Sequence, residues 1–170
     1  MAVRSGRGAR RPPLQELSLA SIRRRGARVE VRLDGEERAA LLDIVEHLAP
    51  LLGTVPRTTP RAYADDDLEE EYARFMRPEV EAARDADIES LRAWLREPGD
   101  VRELDESQAL SWTRSFNHLR LVAGALLGVE EDGWDEAADD DVIRRGEFTM
   151  LMALGWLQER LVAALEPETA

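Results

Sequence analysis

"DESQALSWTRSFNHLRLVAGALLG", residues 105–128, decides the fold class. Asp105 with Gln108 three residues on has the form of a capping box, the mark of a helix start. Trp112, Phe116, Leu119, Ala123 and Leu126 then recur at spacings of four, three, four and three. That stripe predicts a helix running to about Leu127 with one face in a core. Between Leu119 and Leu127 only Arg120 is polar. An unpaired charge inside a core is costly. Arg120 therefore belongs to an active site, contacts a partner, or pairs with a buried acid.

The segments on either side predict further helices. "LASIRRRGARVEVRLDG" reads as a small hairpin, with Val29, Val31 and Leu33 alternating with Glu30 and Arg32 and a turn at Gly26. Asp34 can cap a helix from about Glu36, whose apolar face is Leu41, Leu42, Val45 and Leu48 and which Pro50 ends or kinks. Residues 53–64, with Pro56 and Pro60, read as a loop. "DDDLEEEYARFM" has the acidic start of a helix and carries Leu68, Tyr72, Phe75 and Met76 as its apolar residues. Pro78 breaks it and can open the next helix, about 79–96, which is expected to bury Val80, Ile88, Leu91, Trp94 and Leu95. "PGD" at 98–100 is a turn and "VREL" a short extended piece. Residues 130–141 form an acidic loop, and a last helix, about 142–165, carries Phe148, Met152, Leu154, Leu157, Leu161 and Leu165. The expected fold is mainly α: about five helices in an orthogonal or antiparallel bundle with a small N-terminal β-hairpin. A basic arm (1–17), one helical domain (18–166) and a short tail (167–170) complete the division.

The last helix offers Arg120 a partner. Arg120 shares a stripe with Thr113, Asn117 and Gly124, and Glu159 shares one with Phe148, Met152, Gly155 and Val162. One antiparallel register sets Arg120 against Glu159 and Gly124 against Gly155. The expectation is an ion pair in which Asn117 or Gln158 completes the hydrogen bonds, and removing one partner would cost about 3–5 kcal/mol if it is well buried. A partner-binding Arg120 is the competing reading.

The net charge of −12 over 170 residues hides an asymmetry. Residues 1–32 hold nine arginines against Glu16 and Glu30, a net +7, and the rest holds 14 arginines against 33 acids, a net −19. Lysine is absent, which with abundant alanine fits a GC-rich coding genome. An acidic body repels DNA, so direct DNA binding is expected to be weak or absent and confined to the basic arm. The arm, with Arg23, Arg24 and Arg25, raises solubility, touches nucleic acid, or meets an acidic protein partner. There is no cysteine, which excludes disulfides, thiolate metal sites and thiol nucleophiles. No apolar run suggests a bilayer span and no secretory signal stands at the N-terminus, so the expected location is cytoplasmic.

Motifs for chemistry are missing. His47 and His118 are the only imidazoles, and Asp43 and His47 at i, i+4 have no second ligand pair to match. The acid triplets at 65–67 and 139–141 lack the spacing and glycine of a calcium loop. There is no GxGxxG, P-loop or GxSxG. No cofactor, no metal and no enzyme activity are expected. Of the tryptophans at 94, 112, 134 and 156, three fall on helices, while Trp134 stands in the acidic loop as a possible contact for a basic partner.

"VRLDGEERAALLDIVEHL" (31–48), W-x-x-x-x-N-x-L-R-L-V-x-G-x-x-L-G-V (112–129) and "LGWLQERLVAAL" (154–165) resemble the actinobacterial AosR family over about residues 20–166. The shared residues include Trp112, Asn117, Arg120, Gly124, Gly155, Trp156, Gln158 and Glu159. The resemblance implies a cytoplasmic oxidative-stress transcriptional regulator that acts with an alternative sigma factor on sulfur-metabolism genes. It implies protein contacts with the sigma factor or RNA polymerase. The family is typically encoded beside the ClpS protease adaptor, so an accessory role in ClpS-linked proteolysis is the alternative. The family senses oxidant through a CxxxC disulfide, and this chain has no cysteine to form one. Oxidation of Met76, Met150 or Met152 would be a substitute, set against ordinary burial of those side chains.

Overall fold

The computed structural model describes residues 20–55, 58–129, 140–143 and 145–166. The predicted arm and tail, Trp134 and most of the acidic loop lie outside them. Strands β1 (Ser21–Arg25) and β2 (Arg28–Arg32) form the predicted hairpin. Arg25 pairs with Arg28, and Gly26 takes a φ of 61°, the positive value that the first central residue of a type II′ turn requires. The "VREL" segment is β3 (Val101–Leu104), and it pairs antiparallel with β2, placing Val29 opposite Leu104. The hairpin thus becomes a three-stranded sheet, whose alternation sends Val29, Val31 and Leu104 into the core.

Helix α1 (Gly35–Leu48) starts at Asp34, which accepts the Glu37 amide at 2.9 Å while Glu37 accepts the Asp34 amide at 2.8 Å. This capping box satisfies two otherwise orphaned donors. Pro50 turns the chain into a 3-10 helix at Ala49–Leu51. Helix α2 (Asp66–Phe75) is capped by Asp65 and followed directly by α3 (Arg77–Arg96), with Pro78 in its first turn. Helix α4 (Glu106–Leu127) carries the predicted Asp105–Gln108 box and ends at Gly128, whose φ of 72° is the left-handed conformation of a glycine cap. Asp140–Ile143 makes a single helical turn, and α5 (Gly146–Leu165) closes the fold.

One boundary and the exposure of several apolar residues differ from expectation. The last helix begins at Gly146 rather than about 142, because Arg145 is extended (φ −72°, ψ 139°) and serves as its cap. Val80 is half exposed, since the buried residues of α3 begin only at Arg84. Leu68, Phe75 and Met76 are likewise exposed, and α2 buries none of its side chains. The core lies between the sheet, α1, α3, α4 and α5. Trp94 meets Trp112 edge-on with ring centres 4.6 Å apart, and Trp112 meets Phe116 at 6.2 Å. Helix α5 is long and apolar enough to cross a membrane, yet here Leu151, Leu154, Leu157 and Leu161 are buried in the core.

Candidate functional site

Four polar arrangements emerge from this packing, and the first is the seam between α4 and α5. Arg145 donates to the Leu126 carbonyl at 2.8 Å, while Arg120 reaches Gln158 at 2.7 Å. Residue numbers therefore run in opposite senses, and the two helices are antiparallel as expected. The register is not the expected one. Arg120 lies over Gly155, where an added Cβ would stand 3.6 Å from its Nε, and Gly124 faces Val129 of its own chain turn. Gln158 supplies the hydrogen bond, and among the described residues Arg120 makes no ion pair. Glu159 points to solvent. The expected Arg120–Glu159 pair and glycine–glycine contact are corrected accordingly. The physical reason is that an arginine side chain needs room: Gly155 provides it only when opposite Arg120, and Gly124 then cannot also oppose Gly155. Trp112 is buried, Asn117 is exposed, and Trp156 is half-buried with Arg160 stacked 5.4 Å from its ring centre.

The three consecutive arginines of β1 have distinct roles. Arg23 donates through Nε and a terminal nitrogen to Glu30, at 2.9 and 2.6 Å, and Arg25 lies 3.5 Å from the same carboxylate. The hydrogen bond from Arg23 is the main reason the Glu30 carboxyl is held below its usual range. Arg24 donates to the Ala164 and Leu165 carbonyls at 3.3 and 3.2 Å. It caps the C-terminus of α5, where the helix dipole favours a cation. These arginines were candidates for a partner contact; Arg24 is instead occupied within the fold.

Between α3 and α4 lies a polar cluster that the sequence did not announce. Arg84 is buried, on the same stripe as Ile88, Leu91 and Leu95, and ion-pairs with Asp85 at 3.0 Å. Asp87 receives two hydrogen bonds from Arg114, at 2.7 and 3.0 Å. Burial opposes ionisation of Asp87, but the bonds from Arg114 and Ser111 outweigh it and hold the carboxyl low. His118 is the reverse case: burial first, then the charge of Arg84, disfavour its protonation. The signal for Arg84 was available, since a lone arginine at helical spacing within an apolar stripe is what had singled out Arg120. Beside this cluster a cleft of about 430 Å³ is lined by Ala49, Pro50, Leu52, Ile88, the cations Arg84 and Arg92 and the acids Asp85 and Glu89. Arg92 meets Glu89 at 2.5 Å and lies 3.1 Å from Glu46, without hydrogen-bond alignment at its Nε. Each cation there has an acid beside it, which describes a structural network more than a binding pocket.

Asp43 and His47 are both exposed on α1, and among the described residues no group of three or more His, Asp or Glu could hold a metal ion. Asp65 of the first acid triplet caps α2 and Asp66 pairs with Arg61 at 2.6 Å. The fourth arrangement is the outer face of α2 and the start of α3. Tyr63 packs edge-on against Tyr72 with centres 5.9 Å apart, Arg77 lies 5.3 Å over Tyr72, and Arg77 pairs with Glu69. Polar and aromatic contacts thus hold α2 to α3, while Leu68, Phe75, Met76 and Val80 remain uncovered.

A family model described as a domain of unknown function (DUF2017) matches residues 19–165. No curated protein and no solved structure matches the chain.

Proposed function

The chain belongs to the DUF2017 family, and from that premise we propose that it is a non-enzymatic, cytoplasmic regulator of the AosR type, acting on transcription under stress through protein contacts with a sigma factor or RNA polymerase. One observation carries the reading. The two motifs that most resemble AosR, at 112–129 and 154–165, fold against each other as the α4–α5 seam, with Arg120 seated on Gly155 and bonded to Gln158. What the chain shares with AosR is then the scaffold, and its contacts are made by surfaces that the scaffold supports. Without cysteine the regulator works without the disulfide switch.

Affinity purification of the tagged full chain from oxidant-stressed and unstressed cells tests this reading. Recovery of a sigma factor or an RNA polymerase subunit is the expected result. Absence of every transcription component under both conditions would overturn it.

A further inference from the structure

We propose that the face formed by α2 and the first turns of α3 docks a segment of another protein in which apolar side chains are flanked by arginine or lysine. The inference rests on the reading above, that the chain works through protein contacts, and names the surface and the chemistry of what it receives.

Helix α2 spans Asp66–Phe75 without burying a single side chain. A helix this short is marginal in water by itself and is normally held by an apolar face packed on a core. Here the apolar face is turned outward: Leu68 and Met76 are each 49% exposed, Val80 50% and Phe75 61%. Leu68 and Phe75 lie on one side of the helix, with Tyr72, half-buried against Tyr63 and Arg77, between them. The amide of Met76 bonds to the Tyr72 carbonyl and that of Val80 to the Met76 carbonyl, so the stripe runs on into α3. Scattered exposed apolar residues need no explanation; a row of them along a helix that sends no side chain into the core does.

Charge selects the occupant. Asp67 and Glu71 flank the stripe, Glu79 follows it, and among the described residues none of the three is in an ion pair. Arg61 and Arg77 are engaged with Asp66 and Glu69, and Arg74 stacks on Phe75 at 5.1 Å. The apolar stripe thus has an acidic border on a body that is itself acidic. A second copy of this chain would bring the same acids against it, in a molecule of net charge −12. Cationic side chains beside apolar anchors complement both features at once, the acids steering encounter and the apolar residues supplying contact area.

The test uses the full-length chain and a short fluorescein-labelled amphipathic peptide of leucine and lysine, with a leucine–glutamate peptide of the same pattern as control. The wild type is expected to bind the first and not the second. Because the substituted side chains are exposed, Leu68→Ser with Phe75→Ser should leave the thermal melt in place while weakening peptide binding about tenfold or more. Asp67→Asn with Glu71→Gln should weaken it too and flatten its salt dependence. Equal binding by the serine variant, or binding of the acidic peptide, overturns the proposal. Purification of the serine variant from cells separates the two readings. Transcription components recovered with the wild type but lost from the variant support both. Equal recovery with both chains removes the docking face and leaves the regulator reading intact; recovery with neither, while the lysine peptide still discriminates, removes the regulator reading and leaves the face.

Discussion

The guanidinium of Arg120 lies against Gly155, in the space that a side chain longer than alanine's would take. A Cβ on that glycine would lie 3.6 Å from Arg120 Nε, 3.7 Å from Cζ and 3.8 Å from a terminal nitrogen. These are ordinary van der Waals distances. The glycine therefore makes room for an arginine and not for a second backbone.

This relationship sets the sign of a substitution at 155. A methyl group fits against the guanidinium, and glycine inside a helix costs about 0.5–1 kcal/mol relative to alanine. Gly155→Ala should accordingly raise stability by up to that amount in urea unfolding. Gly155→Leu has to displace the guanidinium and should lower it by about 1–3 kcal/mol. Had the helices met glycine to glycine, alanine would already destabilise, so the sign of the first result distinguishes the two packings.

Gln158 and Glu159 are neighbours with opposite expected sensitivities. Gln158 accepts from Arg120 at 2.7 Å in a partly buried setting, and Arg120 Nε is already buried with no hydrogen-bond partner among the described residues. Gln158→Ala removes the bond that Arg120 does make and should cost about 1–3 kcal/mol. Glu159 is exposed, and Glu159→Gln should stay within about 0.5 kcal/mol of wild type. A large loss at 159 with none at 158 in chemical denaturation would restore the ion pair that the sequence suggested.

How far such features were legible from sequence depends on whether they are local. The helix cap at Asp34, the capping box at Asp105, the hairpin turn at Gly26 and the stripe from Trp112 to Leu126 are each fixed by residues within a few positions of one another, and each was readable. The pairing of β3 with β2 joins residues about seventy positions apart, so "VREL" could be read as extended but not placed. The seam shows the same limit at finer scale. Sequence spacing showed that Arg120 and α5 belong together, but several registers one turn apart satisfy the pattern. Side-chain volume, which spacing does not encode, chose among them. Periodicity also predicted the apolar stripe of α2 correctly and misled about Val80, because a pattern tells which residues share a face and not whether anything covers that face.

Arg24 joins the hairpin to the far end of the chain. Its bonds to the Ala164 and Leu165 carbonyls are 3.3 and 3.2 Å long and partly exposed, so their contribution is modest. Arg24→Ala should lower stability by about 0.5–1.5 kcal/mol and speed amide hydrogen exchange in the last turn of α5. Arg23→Ala should leave that exchange unchanged, since Arg23 bonds to Glu30 within the hairpin. Equal exchange rates in both variants would mean that the helix end holds without its cap.

His118 gives the fold a pH dependence of predictable sign. Burial, followed by the charge of Arg84, lowers its pKa from the ordinary 6.5, while Asp87 and Asp85 oppose the shift without reversing it. The unfolded chain therefore binds a proton at His118 more readily than the folded one. Stability from this group is present above about pH 6.5 and is lost as pH falls below that value toward the folded pKa. Urea midpoints of the wild type should fall between about pH 7 and pH 5, and His118→Gln should flatten that slope. The lowered carboxyls of Asp87, Glu30 and Glu69 act in the same direction but in a separate window, below about pH 4.5, where carboxylates in the unfolded chain take up protons. Asp87→Asn removes the acid that favours the imidazolium and leaves Arg84 and Arg114 beside the ring, so it should push the His118 pKa lower still. Titration of the imidazole by NMR in the wild type and in Asp87→Asn checks the order, and a higher pKa in the variant would contradict the assignment of Asp87 as the favourable neighbour.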